Sequence, residues 1–303
     1  MLCRDKRPAP TGIKYRMDKQ KAVEKKISEI LKAAEKAGNV TAKKVIKDLA
    51  NARKEVAAAV ASTEWQLYHL PQFKAATERA LAEFGRQFGV ELGELQQASW
   101  NFGIDLVDVP LRSIGIVAAM PEIDVSALNA YREFGLDKVQ GLTRSAIEKI
   151  NSEISMGLMG EKSPYEVMKA VGRNLKDKGV FNSLLKRAET IVKNEAGRAL
   201  EKASSDRKIA AAKVVPGLMK IWHYGHIAKM PRLDHMAAAS RYAPGGDPGP
   251  IPVDQPFMVG GEALMHPRDP AGSPENTINC GCTSLFYHPR WDEMTQESQS
   301  RAA

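Results

Sequence analysis

Cysteine is scarce in this chain: Cys3, Cys280 and Cys282 are the only three in 303 residues. The last two are separated by one residue, where a disulfide is geometrically awkward. A disulfide-built fold is thereby excluded, and a reducing compartment is expected. Aromatic residues make up 6%, and Arg is not interleaved with them in the manner of a base-stacking surface. Long apolar runs are missing as well, since no window approaches the roughly 18 consecutive apolar positions that a membrane helix needs. Residues 1–18 carry charge without an apolar run behind it, so neither a leader nor a membrane partner is expected. A Ser-His-Asp order, a paired-carboxylate site and a Gly-rich phosphate loop are also lacking. Residues 157–163 look superficially like a phosphate loop, but Glu161 and Met156 stand where such a loop needs glycine. That stretch reads as a helix end followed by a helix start.

What is present is an ordinary soluble balance, 43% hydrophobic and 26% charged, with Ala and Lys dominating the first two hundred positions. The length suits two modest domains, or one domain and an extended helical region. The formal charge is +8, and its origin is local. Residues 1–54 hold 16 Lys and Arg against 6 Asp and Glu, an excess of +10, which leaves the remaining chain at −2. The basicity belongs to one arm.

Apolar residues recur with helical spacing at Val23, Ile27, Ile30, Leu31 and Ala34, and Gly38 follows as a stop signal. A second segment opens at Thr41 and carries Val45, Ile46, Leu49, Val56 and Val60, so residues 1–60 read as a basic amphipathic helical hairpin. Lys43, Lys44, Lys47 and Lys54 crowd its outer face. They form either a solvated surface or a basic one for phosphate or an acidic partner. Residues 61–182 read as several short helices, broken at Pro71, Gly85, Gly89, Gly103, Pro110, Pro121, Gly135, Gly141 and Gly160. Within them Ser163, Pro164 and Glu166 make a capping box with proline at the first helical position. One more strong helix starts near Ser183, with its stripe at Leu184, Ala188, Ile191, Val192, Ala196, Ala199 and Leu200. Beyond residue 214 Pro and Gly multiply, short strands are expected at 217–224 and 283–287, and a short helix at 235–240. The expected fold is mainly α with a small, loop-rich α+β module over residues 183–291 and a polar tail at 292–303.

Three pieces of that module stand in a telling order. Asn194, Glu195, Ala196, Gly197, Arg198 and Ala199 lie on the helix; Trp222 is followed by Arg232, Leu233, Asp234 and His235; a proline-rich stretch then closes on Asn279, Cys280, Gly281 and Cys282. Together they resemble the MuF-like domain of phage minor head proteins, the head morphogenesis family, over residues 188–291. Gly281 replaces that family's Arg between the cysteines, and Ala228 replaces its Asp seven residues before the His. The resemblance implies a virion or prophage assembly protein without catalysis, associated with the portal and the procapsid or scaffold, and present in the host cytoplasm during assembly. It also implies structural roles for Glu195, Arg198, Trp222, Arg232 and Asn279. The basic arm adds packaged DNA as a candidate partner.

His235, Cys280 and Cys282 are candidate ligands for a structural zinc ion, with a fourth ligand from Asp234, His266 or His288. Residues two apart in a regular strand lie about 7 Å apart, so both sulfurs reach one ion only if the chain tightens there. Gly281 would ease that tightening. The plainer account is two small thiols filling a core and a histidine satisfying a backbone group. His223 and His226 read as ordinary polar residues. Glu195 and Arg198 read as a within-helix pair, or Arg198 as a tie to the loop carrying Asn279. Two competing functions remain: a metal-dependent hydrolase or effector built on the His and Cys residues, and a plain basic DNA-binding protein. Only 21 residues follow Cys282, fewer than a fused effector domain would need, so the assembly role is the expected one.

Overall fold

Alanine and the long straight-chain residues lose little freedom in a helix, and the computed structural model is accordingly built on long helices. It describes residues 11–62, 64–116, 119–225 and 232–289. Cys3, His226, Ala228, Trp291 and the tail at 292–303 lie outside the described residues. Helix α1 spans Thr11–Ser62, α2 Leu70–Ser113, α3 Ser126–Leu158, α4 Pro164–Val171 and α5 Val180–Ala212. The remaining elements are short: β1 Met219–His223, α6 Leu233–Arg241, β2 Ile251–Pro252, β3 Phe257–Val259, β4 Glu262–Leu264, α7 Pro274–Thr277 and β5 Thr283–Tyr287. The chain is thus mainly α with a small α+β module near its C-terminal end.

Two expectations within that frame need correction. The arm is not a hairpin, because α1 runs 52 residues straight through Gly38 and Thr41. A lone glycine lowers helix stability by only about 1 kcal/mol, less than the apolar stripe continuing beyond it contributes. The middle region is not a set of short helices either, since α2 has 44 residues and α3 has 33. Pro71 sits in the first turn of α2, where its missing N–H is harmless. Several glycines mark close helix crossings rather than breaks. A Cβ on Gly103 would overlap the Leu200 carbonyl oxygen, and one on Gly85 would lie 2.9 Å from Thr143 Cγ2. Pro121 and Gly160 do fall between helices. The capping box also forms: the Glu166 N–H donates to Ser163 Oγ at 3.3 Å, and the Ser163 N–H donates to Glu166 Oε2 at 2.8 Å.

The chain divides into two compact units, one of residues 36–98 and 125–197, the other of 1–35, 99–124 and 198–303. Three of the four divisions fall inside α1, α2 and α5, and the fourth lies just before α3. In the first unit, stripes spaced three and four residues apart bury Val45, Leu49, Ala52 and Val56 of α1, Phe84, Phe88 and Leu92 of α2, and Val139, Leu142 and Ala146 of α3. That spacing is the seam of a helical bundle. Lys138 and Glu195 pair across it at 2.6 Å.

The second unit has two apolar clusters. One joins Val23 and Ile27 of α1 to Leu106, Val107 and Leu111 of α2, Leu200 of α5 and Phe286 of β5. Beside it the Asp108 carboxylate takes two hydrogen bonds from the Arg207 guanidinium, at 2.5 and 2.6 Å, with both side chains nearly buried. The other gathers Trp222, Ala238, Tyr242, Phe257, Val259, Leu264, Cys280 and Cys282. Strand β1 is central in an antiparallel sheet of order β2-β1-β5, and β3 and β4 form a separate hairpin. Trp222 of β1 faces Ser284 of β5 in register.

Gly93 and Gly103 provide a paired test, because the space around Gly93 is open and that around Gly103 is closed. Gly93→Ala is expected to raise stability by about 0.5–1 kcal/mol, and Gly103→Ala to lower it by about 1–3 kcal/mol. Thermal unfolding of the two variants measures both signs.

Candidate functional site

Strand alternation sets the first wall of the site. In β1 the side chains of Lys220 and Trp222 turn inward while His223 is exposed, in keeping with an ordinary polar residue. Helix α6 supplies the second wall: His235 and Ala238, three apart on one face, are buried, whereas Leu233 is 80% exposed. The third wall is the loop between α7 and β5. There Asn279 adopts a left-handed backbone, φ 55°, a conformation asparagine tolerates better than most residues. The Arg232 guanidinium donates to the Ile278 carbonyl at 2.6 Å, fastening the start of α6 to this loop. Gly225 passes so close that a Cβ there would overlap the Gly281 carbonyl oxygen.

These walls bring three sequence-selected residues together. His235 Nδ1 lies 3.5 Å from Cys280 Sγ and 3.4 Å from Cys282 Sγ. All three candidate ligand atoms fall within 4.8 Å of one another, and all three residues are buried. The chain does tighten as required, but through a different device from the one expected. The Cys282 N–H donates to Cys280 Sγ at 3.4 Å, and the left-handed turn is at Asn279 rather than at Gly281. The other ring nitrogen, His235 Nε2, faces Asn276 Oδ1 at 3.4 Å. Trp222 meets the imidazole edge-on, with ring centroids 5.6 Å apart.

The thiols are strongly perturbed. Cys280 is held far below the ordinary range, first by its hydrogen bond with Cys282 and then by His235 and Arg268, against burial. Cys282 is pushed up by the same pairing and by burial, while the Gly225 N–H and Trp222 act to favour its charged form.

Other expected ligands are placed elsewhere. His266 Nδ1 sits 2.9 Å from the Pro267 carbonyl, His288 Nε2 sits 3.0 Å from the Pro216 carbonyl, and Asp234 lies beside Gly260. Among the described residues no fourth His, Cys, Asp or Glu joins the group. Glu195 is fully buried and its ion pair is with Lys138 of α3. Arg198 is buried further along α5.

Sequence reasoning missed a second buried polar group beside the cysteines. Glu201 Oε2 accepts the Ser284 N–H at 3.0 Å, and the Lys208 ammonium donates to the Ser284 carbonyl at 2.6 Å and to Ser204 Oγ at 3.2 Å. The Lys220 ammonium donates to the Met265 carbonyl at 2.8 Å and lies over the Phe257 ring. Burial raises Glu201 to about 7, against Lys208 and Arg268, and lowers Lys208 to about 8. A signal for Lys220 existed, since it shares strand parity with Trp222. Glu201 and Lys208 lie on a helix whose faces are polar and apolar by turns, and nothing in their spacing singles them out.

No family profile, no curated protein and no solved structure matches this chain.

Lys220 yields a pH test. Burial, with Lys208 adding to it, lowers its pKa from 10.5 to about 7. Between these values the unfolded chain binds a proton there that the folded chain lacks, so stability rises with pH across that window. Thermal unfolding at pH 7, 8 and 9 should show that rise. In Lys220→Met the rise should be flatter but not abolished, because Lys208 acts in the same sense above about 8. An unchanged slope in the variant would refute the assignment.

Proposed function

We propose that this chain is a minor head protein of a tailed phage or prophage. Its C-terminal unit would act as a docking module for the portal and the procapsid or scaffold. The observation that carries this reading is one of convergence. Trp222, His235, Cys280 and Cys282, on which much of the resemblance to the MuF-like family rests, are drawn from separate stretches and meet in one buried place, while Arg232 and the exposed Asn279 lie at its rim, where Arg232 fastens the loop at Ile278. Residues that share a motif and a location support a common architecture better than a motif alone.

In this reading the His–Cys–Cys group is architecture, and a structural zinc ion is the cofactor it admits. Its burial favours that role over a metal-dependent hydrolase, which needs an open coordination position reached by substrate. No helix long and apolar enough to cross a membrane occurs among the described residues, which suits a particle component without a membrane partner.

The arm supplies the second contact. Lys25, Lys32, Lys36, Lys43, Lys47 and Lys54 are all exposed and recur seven and four residues apart along α1, a spacing that keeps them on one side of a helix. Such a row suits packaged DNA, or an acidic protein surface as the alternative.

Two measurements test the reading. The full chain, co-expressed with the portal protein of its own phage or prophage, should retain that portal through affinity purification; a portal that never co-purifies would sink the proposal. Affinity of the arm for duplex DNA should fall at least about tenfold between 50 and 200 mM salt, since each lysine–phosphate contact releases a counterion. Glutamine at Lys36, Lys43 and Lys47 together should flatten that dependence, and DNA binding insensitive to salt would remove DNA from the list of partners.

A further inference from the structure

We propose that His235 Nδ1, Cys280 Sγ and Cys282 Sγ are three corners of a tetrahedral site for one zinc-class divalent cation, with Asn276 and Trp222 positioning the ligands. The proposal rests on reading the group as architecture and is independent of the head-assembly role, so either can fail alone.

Distance is the first argument. Zinc bonds of about 2.3 Å to sulfur and about 2.05 Å to nitrogen, at a tetrahedral angle, place the two ligand atoms about 3.5–3.6 Å apart. The observed separations from His235 Nδ1 are 3.5 Å to Cys280 Sγ and 3.4 Å to Cys282 Sγ. A proton can serve one of these contacts but not both, because a ring nitrogen either gives one hydrogen or accepts one. A cation at the centre of the three atoms satisfies all of them at once.

The tautomer is the second argument, and it comes from a neighbour. The Asn276 amide N–H donates to the Val259 carbonyl at 3.4 Å, which turns its carbonyl oxygen toward His235 Nε2 at 3.4 Å. An amide oxygen there requires the hydrogen on Nε2, leaving the Nδ1 lone pair directed at the two sulfurs. Metal-bound histidines are held in this way, by an acceptor on the far ring nitrogen.

The donor set is the third. Two thiolates and an imidazole suit zinc and exclude magnesium and calcium, which take oxygen. Two thiolates also neutralise a divalent charge, so the occupied site buries no net charge. The indole N–H of Trp222 is buried without a hydrogen-bond partner, and its ring meets the His235 imidazole edge-on. The Arg268 guanidinium donates to the Cys282 carbonyl at 3.3 Å, beside the same sulfurs.

The test uses the full chain purified without chelator. Elemental analysis should find about one equivalent of zinc, and cobalt exchanged into the site should give intense sulfur-to-cobalt charge-transfer absorption from two thiolates. Cys280→Ser and Cys282→Ser should each weaken that absorption and lower zinc affinity, read by competition with a chromophoric chelator. Asn276→Leu should keep the absorption but weaken affinity by about 10–100-fold, the mark of a positioning residue. If a serine variant does not fold, reversible removal and return of zinc in the unmodified protein decides the matter. Protein that folds with far less than one equivalent of zinc, or that binds cobalt without the sulfur band, overturns the proposal whether or not the portal co-purifies. Full affinity in Asn276→Leu removes the tautomer argument.

Discussion

The C-terminal unit depends on holding one imidazole against two sulfurs that enter the chain more than forty residues later. His235 is fixed on α6, and the cysteines sit on a loop with little regular structure of its own. Each nearby contact acts on that separation. Arg232 binds the loop carbonyl at Ile278, Asn276 bridges the imidazole and β3, and Gly225 lets the end of β1 approach Gly281 closely. Trp222 then closes the apolar side, stacked edge-on against both His235 and Phe257. A unit with such short strands has little sheet to rely on, and side-chain bonds to loop carbonyls take the place of a longer ladder.

Glu201, Lys208 and Lys220 add a second constraint in the same small volume. Buried charges are tolerated only when partnered, and here the partners are mostly main-chain groups of β5 and of the stretch after β4. This arrangement ties α5 to β5 and β1 to the stretch after β4 by polar bonds that an apolar core could not direct. Replacing such groups with apolar ones often stabilises a protein, so their presence speaks for specification of one loop arrangement.

How much of this was legible beforehand differs by element. The stripe of α5, the capping box of α4, the strands β1 and β5 and the helix α6 were readable, because each rests on local periodicity or on local side-chain chemistry. Gly85 and Gly103 misled, since a glycine that breaks a helix and a glycine that lets two helices touch look alike until the neighbour is known, and Gly38 misled because a lone glycine in open space does not stop a helix whose apolar stripe continues beyond it. The His–Cys–Cys group was readable as chemistry, from residue types alone, but its tightening at Asn279 was not. Glu201 and Lys208 escaped notice for the same reason as the glycines: their partners, Ser284 above all, are remote in the chain.

Helix α1 carries a consequence for how this molecule can vary. Lys25, Lys32, Lys36, Lys43, Lys47 and Lys54 face solvent, while Val23 and Ile27 belong to the core of one unit and Val45, Leu49 and Val56 to that of the other. The basic segment is therefore no detachable tail, and truncating it would strip both cores of a wall. Surface charge and interior packing occupy different angles of a single cylinder. Selection can rewrite the outer angle residue by residue, retuning affinity for a polyanion, while any insertion or deletion rotates the two stripes out of phase. Substitutions should accumulate along this helix, and changes of length should not.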